Sequence, residues 1–317
     1  MILWYIEIMK KAKKILVTGG AGFIGSHLVN RLVKTSKVVV IDNLSTGKKE
    51  NLNPKAKFYK LDICSSKISS VFKKEKPDVI FHLAAQIDVR KSVNDPIADS
   101  KINVLGSLNI IQEFFKVNKK GKVIFTSTGG AIYGDASVVP TSENYPENPL
   151  SPYGIAKLTI DKYLNYYYKV FGFQYVSLRL ANVYGPRQNS KGEAGVIAIF
   201  TDKMINKEQL IVNGDGRQTR DFIYVDDVVE ANILALGKNK IGVFNIGTAK
   251  ETNINIVFKK IKKLTNSNCK EIHVPEKSGE QKRSCLNFSK ASKELKWKPK
   301  HDLDRGLKET VGWFKRR

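Results

Sequence analysis

The sequence predicts an α/β fold with a doubly wound parallel sheet and a smaller C-terminal α/β lobe. Three observations support this prediction. Short strands alternate with helical patterns from Lys14 to about Leu180, each strand is apolar along nearly its whole length, and a glycine-rich turn joins the first strand to the first helix. Near-continuous apolar strands separated by helices are typical of a parallel sheet covered on both faces, and connections in such a sheet are right-handed.

The strand signals define the expected domains. Six short apolar runs are predicted to be strands, at residues 14–18, 38–42, 57–62, 78–85, 122–128 and 175–181. After YGPRQ the alternation becomes irregular and the polar loops lengthen. We therefore expect a sheet domain over residues 10–180 and a smaller lobe over residues 181–317, with segments at about 217–249 returning to the first domain.

The composition excludes several classes of protein. Of the 317 residues, 42% are hydrophobic, so the chain can bury a substantial core, and no apolar run approaches the roughly 20 residues of a membrane-spanning helix. The formal charge is +24, but the lysines are scattered and are not interleaved with aromatic residues, so we expect a solvated surface and no nucleic-acid partner. A positive field would also help to capture an anionic, phosphate-bearing ligand.

The cysteines and the start of the chain indicate a cytoplasmic protein. Cys64, Cys269 and Cys285 have neither metal-ligand spacing nor the pattern of a disulfide framework, so no metal site is expected. Glu7 interrupts the apolar start and no basic residue precedes it, which is the opposite of a secretory signal.

The glycine-rich turn is the first motif that carries chemistry. In ILVTGGAGFIGSHLV, Gly20, Gly22 and Gly25 have the G-x-G-x-x-G spacing between a strand and a helix, and Gly19 gives an overlapping spacing. Such glycines allow a tight turn, close approach of the backbone to a pyrophosphate and close helix–strand contact. The helix N-terminus adds free N–H groups and a partial positive charge. The sequence therefore predicts a Rossmann-type dinucleotide site.

The ends of the next strands indicate which dinucleotide is bound. Asp42 ends the second strand, where a carboxylate accepts hydrogen bonds from the adenosine ribose and repels a 2′-phosphate, so NAD is expected in preference to NADP. Asp62 is placed either to meet the adenine amino group or to cap the end of the third strand. The small residues of HLAAQ (82–86) would let the backbone pass close beneath a ribose.

SPYGIAK (151–157) places a tyrosine and a lysine four residues apart at the start of a helical pattern. Residues with this spacing project from one face of a helix, so Tyr153 and Lys157 would reach the same small molecule. Free tyrosine has a pKa of about 10, but an ammonium group and a positive nicotinamide ring stabilise the phenolate. Tyr153 is predicted to be the acid/base, and Lys157 its electrostatic support and a ribose ligand.

Six ordered motifs, TGGAGFIG, HLAAQ, TSTGGAIYG, SPYGIAK, LRLANVYGPRQ and GDGRQTRDFIYVDDV, together resemble those of the extended short-chain dehydrogenase/reductase family, in particular its nucleotide-sugar 4-epimerases. The similarity runs from about Lys14 to the C-terminus. It implies NAD as cofactor, with the following cofactor-binding residues: Gly19, Gly22, Phe23, Ile24, Asp42, Asn43, Ser45, Gly47, Asp62, Ile63, Leu83, Ala84, Ala85, Gln86, Asn103, Tyr153 and Lys157.

The resemblance also implies a catalytic set. A Ser or Thr after the fifth strand would hydrogen-bond the sugar 4-hydroxyl and the tyrosine; Ser127 and Thr128 are available, and Thr128 is our choice. Asn103 would steady this region, or would be a buried polar group bonded locally. In the implied mechanism Tyr153 removes the O4 proton while hydride leaves C4 for NAD⁺, and the 4-keto sugar turns in the pocket and is reduced on its other face.

The loop after Thr128 separates epimerases from their relatives. Related dehydratases carry an Asp–Glu pair there and decarboxylases keep a Glu, whereas this chain has Gly129, Gly130 and Ala131. This favours 4-epimerisation of a UDP-hexose, UDP-glucose/UDP-galactose. The alternatives are another nucleotide-sugar dehydratase or reductase of the family, and a non-catalytic NAD-binding sensor or RNA-binding module.

The resemblance implies a nucleotide-sugar site formed by Thr128, Asn182, Ala194, Gly195, Val196, Asn213, Arg220, Lys277 and Ser284. Arg220 would grip a phosphate with its planar fork, or would pair with Asp221 or Asp226. Lys277 stands where relatives carry a second phosphate-binding arginine, a role that Arg283 could also serve.

Two positions bear on which substrate is accepted. Asn213 stands where many relatives have an aromatic residue against the base, which leaves the base open. Ser284 stands where hexose-specific relatives have a tyrosine, and the smaller serine would leave room for the 2-N-acetyl group of UDP-GlcNAc or UDP-GalNAc. Relatives form dimers through the helix after Asp99 and the helix that carries Tyr153, so a homodimer is expected, with YLNYYYKVF (163–171) forming either its face or part of the core.

Overall fold

The structure is a computed structural model, and it describes residues 14–191, 195–276 and 281–317. Its strands, in chain order, are β1 (Lys14–Thr18), β2 (Lys37–Asp42), β3 (Lys57–Lys60), β4 (Val79–His82), β5 (Lys122–Thr128), β6 (Gln174–Leu180), β7 (Asn182–Tyr184), β8 (Leu210–Asn213), β9 (Thr219–Arg220), β10 (Phe222–Tyr224), β11 (Gly242–Ile246), β12 (Thr252–Asn253), β13 (Glu271–Val274) and β14 (Arg283–Ser284).

The helices of the same ranges are α1 (Phe23–Leu32), α2 (Ile68–Glu75), α3 (Val89–Asn94), α4 (Pro96–Ser100), α5 (Ser107–Val117), α6 (Gly129–Ile132), α7 (Pro152–Phe171), α8 (Val196–Ile205), α9 (Val225–Leu234), α10 (Ile254–Thr265) and α11 (Leu303–Lys315). A 3₁₀ turn spans Lys49–Asn51, and π-helical segments span Lys101–Gly106, between α4 and α5, and Ala291–Leu295.

Seven strands form one parallel sheet in the order β11-β6-β5-β4-β1-β2-β3. The predicted doubly wound sheet is confirmed. The direction of winding reverses between β1 and β4, and ligands of such sheets bind at the carboxyl ends of the strands beside that point. The seventh strand, β11, pairs with β6 and was not among the six that we predicted.

Helices cover both faces of the sheet. On one face α1 and α9 pack over the apolar side chains of the inner strands, and on the other face α2, α5 and α7 do the same. A separate apolar cluster joins α8, α10 and α11 to β7, β8 and β10. Near-continuous burial of β1, β2 and β4 explains why these strands read as unbroken apolar runs.

The predicted strand at 78–85 is shorter in the structure and ends at His82. Beyond it, the N–H groups of Leu83 and Ala84 donate to Thr18 Oγ1, each at 3.2 Å, instead of continuing a strand ladder. In the described ranges, no helix combines the length and the hydropathy that crossing a membrane requires.

Candidate active site

The turn between β1 and α1 brings glycine backbones into close contact. Gly19 has a φ of +72°, which an L side chain rarely adopts. A Cβ atom on Gly25 would lie 2.1 Å from Gly19 O, and one on Gly19 would lie 2.8 Å from Ala84 N. The turn therefore excludes side chains and exposes backbone, as a pyrophosphate-binding cradle requires.

The first turn of α1 is open to an anion. Gly22 is the N-cap and no side chain caps the helix, so the N–H groups of Phe23 and Ile24 have no intrahelical acceptor. The first turn holds no acidic residue. These N–H groups and the helix dipole fit a phosphate group.

Asp42 closes the other side of this cradle. It is buried, and its carboxylate accepts the N–H of Ala21 at 3.0 Å. A Cβ atom on Gly47 would lie 3.0 Å from Asp42 Oδ1, and Ser45 N–H donates to Asn43 Oδ1 at 3.0 Å. The segment 43–47 is thus folded over the carboxylate and the glycine-rich turn together.

Asp62 lies at the mouth of an open cleft of about 340 Å³, lined by Asn43, Lys60, Leu61, Asp62, Ser65 and Lys67. Asn43 Nδ2 donates to Asp62 Oδ2 and Cys64 N–H donates to Asp62 Oδ1, both at 2.8 Å. The strand-end cap is therefore present, and a contact with adenine stays a prediction. The side chain of Ile63 is buried in the core, so only its backbone faces this region.

Gln86 and Asn103 hold each other by paired hydrogen bonds. Gln86 N–H donates to Asn103 Oδ1, and Asn103 Nδ2 donates to Gln86 O, both at 2.9 Å. Both carboxamides also donate to Asp99 Oδ1, at 2.9 and 2.8 Å. Hydrogen bonds among these three side chains therefore join the loop after β4 to α4 and to the π-helical segment that follows α4.

His82, which the sequence reasoning missed, anchors the same loop. Its Nδ1 lies 2.7 Å from Thr18 Oγ1 and its Nε2 lies 2.8 Å from Ser107 Oγ. Thr18 Oγ1 already accepts two backbone N–H groups, so its proton is directed to Nδ1, and Nε2 carries the ring proton. Burial lowers the pKa of His82 to about 3, so the ring is neutral. The loop residues held in this way, all partly exposed, are Leu83, Ala84 and Ala85.

The start of α7 fixes the position of Tyr153. Ser151 caps the helix by accepting the N–H of Gly154 at 3.2 Å, and Pro152 occupies the first helical position, where its missing N–H costs nothing. The backbone N–H of Tyr153 donates to Ser92 Oγ at 3.2 Å. The backbone of Tyr153 is thus held in place by hydrogen bonding, and its phenol is available to contact a ligand.

Lys157 lies beside Tyr153, one helical turn along α7. Its Nζ is 5.9 Å from the centre of the Tyr153 ring and 4.7 Å from that of Phe125, and it donates to Thr126 O at 2.9 Å. The lysine is buried. The structure therefore brings the predicted pair together at the end of β5.

Burial opposes the ionisation of both members of the pair, and the stabilisation of a Tyr153 phenolate by Lys157 and a nicotinamide ring stays a prediction. Burial raises the pKa of Tyr153, and the Asp99 carboxylate raises it further. Burial lowers the pKa of Lys157 to about 8, against the opposing effects of Asp161 and Asp99. Ionisation therefore costs free energy at both side chains, because burial deprives each charged form of water.

Ser127 and Thr128 differ in what their hydroxyls contact. Ser127 is buried and donates to Asp161 Oδ2 at 3.3 Å; the same carboxylate accepts a bond from Arg179 Nε at 2.9 Å. Thr128 ends β5, is partly exposed and does not cap α6. This contrast supports our choice of Thr128 as the residue that would meet a ligand.

The loop after Thr128 has no space for an acidic side chain at its first position. A Cβ atom on Gly129 would lie 2.4 Å from Leu286 Cδ1, whereas one on Gly130 would lie 3.8 Å from Ser284 Oγ. Leu286 thus occupies the position that a carboxylate on residue 129 would take. Ser284 lies next to Gly130.

Strands β9 and β14 bring two predicted ligands together, since Ser284 pairs in register with Arg220. The buried Asp221 accepts backbone N–H groups from Thr248 and Leu286 at 2.9 and 3.2 Å. Asn182 is exposed at the start of β7. Asp221, which lies between β9 and β10, therefore links the segment after β11 of the sheet to the segment after β14, which carries Ser284.

Other predicted substrate residues are less closely tied to this site. Ala194 and Lys277 lie outside the described residues. Gly195 and Val196 form the start of α8, and Asn213 ends β8, where its carbonyl accepts Gln218 Nε2 at 2.9 Å. Arg283 donates from Nε and Nη2 to the carboxylate of Glu251, at 2.9 and 2.5 Å.

The fold and these residues define a nicotinamide-dinucleotide-binding protein of the Rossmann class. The chain belongs to the NAD dependent epimerase/dehydratase family, whose sequence profile matches residues 15–247. The family name covers more than one reaction, so the class of reaction has to be argued from the site.

Individual relatives resemble nearly the whole chain. UDP-glucose 4-epimerase of Mycolicibacterium smegmatis is 40% identical over 95% of this chain and 98% of its own. The crystal structure of UDP-glucose 4-epimerase with UDP-glucose from Thermotoga maritima has 47% identity and a TM-score of 0.94, over 96% and 99% of the two chains. UDP-N-acetylglucosamine 4-epimerase of Methanobrevibacter ruminantium, in complex with UDP-N-acetylmuramic acid, has 37% identity and a TM-score of 0.90, over 96% and 98%.

Proposed function

We propose that this protein is an NAD-dependent UDP-glucose 4-epimerase, which interconverts UDP-glucose and UDP-galactose. The observation that carries the proposal is the loop after Thr128, which lies beside the Tyr153–Lys157 pair. Its first three residues, Gly129, Gly130 and Ala131, carry no carboxylate, and a Cβ atom on Gly129 would clash with the buried Leu286. Elimination of water or loss of CO₂ would need such a group, whereas oxidation and re-reduction at C4 would not.

The residues of the cradle fit NAD. The glycine-rich turn and the first turn of α1 would hold the pyrophosphate, Asp42 the adenosine ribose and Lys157 the nicotinamide ribose. When bound there, NAD⁺ would supply the acceptor, and NADH the donor, for the hydride at C4 of the sugar. The N–H groups that would donate to the pyrophosphate are backbone groups of the turn and of the first turn of α1.

Tyr153 would take the proton from the sugar O4 and give it back. Burial and Asp99 oppose its ionisation, so the phenolate depends on the Lys157 ammonium and on the positive charge of the oxidised cofactor. Thr128 would hydrogen-bond the O4 hydroxyl and hold it at the phenol. Proton transfer is thus coupled to the oxidation state of the site.

The second lobe would tether the nucleotide while the sugar turns. Arg220 would bind the diphosphate and Asn182 would contact it, on strands that Asp221 holds in place. A fixed diphosphate lets the sugar present either face to the cofactor without leaving.

A second substrate class is favoured by Ser284. Its hydroxyl would lie 3.8 Å from a Cβ atom added to Gly130, so Ser284 is a neighbour of the residues that follow Thr128, and a larger side chain at position 284 would reach them. We propose that the small serine leaves room for a 2-N-acetyl group, and that UDP-GlcNAc and UDP-GalNAc are also interconverted.

We also propose a homodimer. Two neighbouring helical segments expose apolar side chains, and these are Ile97, Leu105, Ile155, Tyr163, Tyr166 and Val170. Tyr167 of the same aromatic run is buried, so the run contributes to both the core and the surface. A domain division at about residue 180 stays a prediction.

A cytoplasmic location also stays a prediction; it is consistent with the three cysteines, which are all free thiols.

Incubation of the purified protein with UDP-galactose, without added NAD, tests the function. We expect UDP-glucose as the product by NMR, with no net increase in absorbance from reduced cofactor. A 4-keto-6-deoxy sugar or a stoichiometric oxidised product would contradict the proposal.

A further inference from the structure

Asp99 is a buried carboxylate that the proposed mechanism does not use. It lies in α4 with 1% of its surface exposed. One oxygen, Oδ1, accepts Gln86 Nε2 and Asn103 Nδ2 at 2.9 and 2.8 Å. The other oxygen, Oδ2, is buried and has no hydrogen-bond partner among the described residues. Half of this carboxylate is therefore unsatisfied, which is costly for a buried polar group.

Among the described residues, the helix packed against α4 carries titratable groups that face the interior, and one of them, Asp161, is already bonded to Arg179 Nε at 2.9 Å. The helix α4 packs against α7, which carries Tyr153 and the buried Lys157. The other charged groups of the neighbouring segments lie on exposed or partly exposed side chains, Asp88, Arg90, Lys91 and Lys101. The carboxylate of Asp99 therefore lies beside the helix that carries the proposed acid/base pair. Burial raises the pKa of Asp99 itself, and the hydrogen bonds from Gln86 and Asn103 and the charge of Lys157 oppose that rise.

We propose that Asp99 is a positioning residue of the active site, which fixes the carboxamides of Gln86 and Asn103 with one oxygen and holds the other, buried and without a partner among the described residues, beside the helix that carries Tyr153 and Lys157. The inference extends the proposed function, because it concerns the same acid/base pair.

The direction of the effect follows from electrostatics. A negative charge disfavours a second negative charge nearby and favours a positive one. Asp99 accordingly raises the pKa of Tyr153 and supports the ammonium form of Lys157. A tyrosine held neutral in this way would ionise only when the positive charge of the oxidised cofactor offsets Asp99.

The test is an NMR titration of the NAD-loaded enzyme labelled with ¹³C at tyrosine Cζ, in wild type and in Asp99→Asn. The chain has 12 tyrosines, and Tyr153→Phe identifies the resonance of Tyr153. The asparagine keeps an oxygen that can accept from Gln86 and Asn103 but removes the charge. We expect the Tyr153 resonance to begin its ionisation shift at lower pH in Asp99→Asn, and the acid limb of kcat to move the same way.

Asp95→Asn is the matched control. Asp95 is exposed and caps α4 by accepting the N–H of Ala98 at 2.9 Å, a role that asparagine also fills. It removes a charge from the same helix but from a solvated position, so the Tyr153 titration should stay where it is in wild type.

An unchanged or higher titration midpoint in Asp99→Asn would overturn the inference, as would an equal shift in Asp95→Asn. Asp99→Leu, which removes the acceptor as well, should lower the NAD content measured after denaturation; full retention of NAD would contradict the positioning role. The NMR titration needs no turnover, so an inactive protein with a shifted Tyr153 would refute the proposed function and not this inference.

Discussion

Tyr153 and Lys157 lie side by side, yet burial disfavours the charged form of each. Burial raises the pKa of the phenol and lowers that of the ammonium to about 8. A site of this kind is inactive as a base until further positive charge is bound. At the scale of the residue, the cofactor is therefore expected to be part of the acid/base chemistry as well as of the redox chemistry.

Tyr153→Phe should reduce the rate of UDP-galactose conversion by about 100-fold or more, because it removes the group that carries the proton. The backbone N–H that bonds to Ser92 is unchanged, so folding and NAD content should be retained. Tyr163→Phe, on an exposed position of the same helix, is the control and should be as active as wild type. Initial rates within a few-fold of wild type in Tyr153→Phe would exclude it as the acid/base.

Ser284→Tyr should separate the two substrate classes. A tyrosine at this position would occupy the space towards Gly130 and exclude the N-acetyl group, so kcat/KM for UDP-GalNAc should fall by about 100-fold or more while that for UDP-galactose changes little. Ser284→Ala, which keeps the space, should accept both. If wild type already rejects UDP-GalNAc, the proposal for acetylated substrates is wrong.

At the scale of the element, a buried glutamate ties two strands to a helix. Glu75, the last residue of α2, accepts Tyr59 Oη at 2.5 Å and Lys57 Nζ at 2.6 Å, and Lys14 Nζ lies 3.3 Å away. Despite the opposing effect of burial, these donors lower the pKa of Glu75 to about 2. The first and third strands are thereby fixed at the end opposite the cofactor cradle.

Glu75→Gln should destabilise the protein by about 3 kcal/mol at pH 7, measured by urea unfolding. The native pKa is lower than the ordinary value of 4.5, so the carboxylate stabilises the fold fully above pH 4.5 and progressively less as the pH falls to about 2. The difference from wild type should shrink over that range. Glu50→Gln, whose side chain is 71% exposed, is the control; an equal effect there, or a difference that does not change with pH, would contradict the assignment.

Features that depend on local sequence pattern could be predicted from the sequence, whereas contacts between residues distant in the chain could not. The strands β1 and β5 were placed at their observed bounds, because apolar runs and the residues that end them are local signals. The seventh strand was missed because β11 begins with Gly242 and contains the polar Asn245, so it is not an unbroken apolar run, and it lies in the part of the chain where the alternation is irregular. Gly129 was recognised by type, but its contact with Leu286 depends on chain packing that spacing cannot show.

The candidate site follows the same division. Tyr153 and Lys157 were found from their spacing, whereas His82 was missed because its partners Thr18 and Ser107 are remote in sequence. Asp99 had one local signal, since it lies four residues before Asn103 on helical segments. Its contact with Gln86 could not be inferred from that spacing.

At the scale of the whole molecule, the sheet would supply the cofactor cradle and the proposed second lobe would supply the substrate ligands. The two meet where Ser284 faces Gly130 and where Asp221 accepts hydrogen bonds from the segments that follow β11 and β14. The exposed apolar stripe lies on the helical segments around Tyr153, away from this junction, and a partner chain would cover it.

If the protein is the proposed homodimer, replacing Ile97 and Tyr166 together by Asp should convert it to a monomer, because two charges would enter the exposed apolar stripe of each chain. Ile97 is 81% exposed and Tyr166 is 49% exposed, so neither change should unfold the chain. Ile211→Asp, on an exposed position of β8, is the control. Light scattering after gel filtration gives the mass; a wild-type monomer would refute the homodimer.

The central claim is that C4 of the sugar is oxidised and reduced again by the same hydride. UDP-galactose deuterated at C4 tests it most directly, with the product analysed by NMR and mass spectrometry. We predict that UDP-glucose keeps the deuterium at C4 and that unlabelled substrate turned over in D₂O gains none. Loss of the label to solvent, or uptake of deuterium at C4 or C5, would contradict the account.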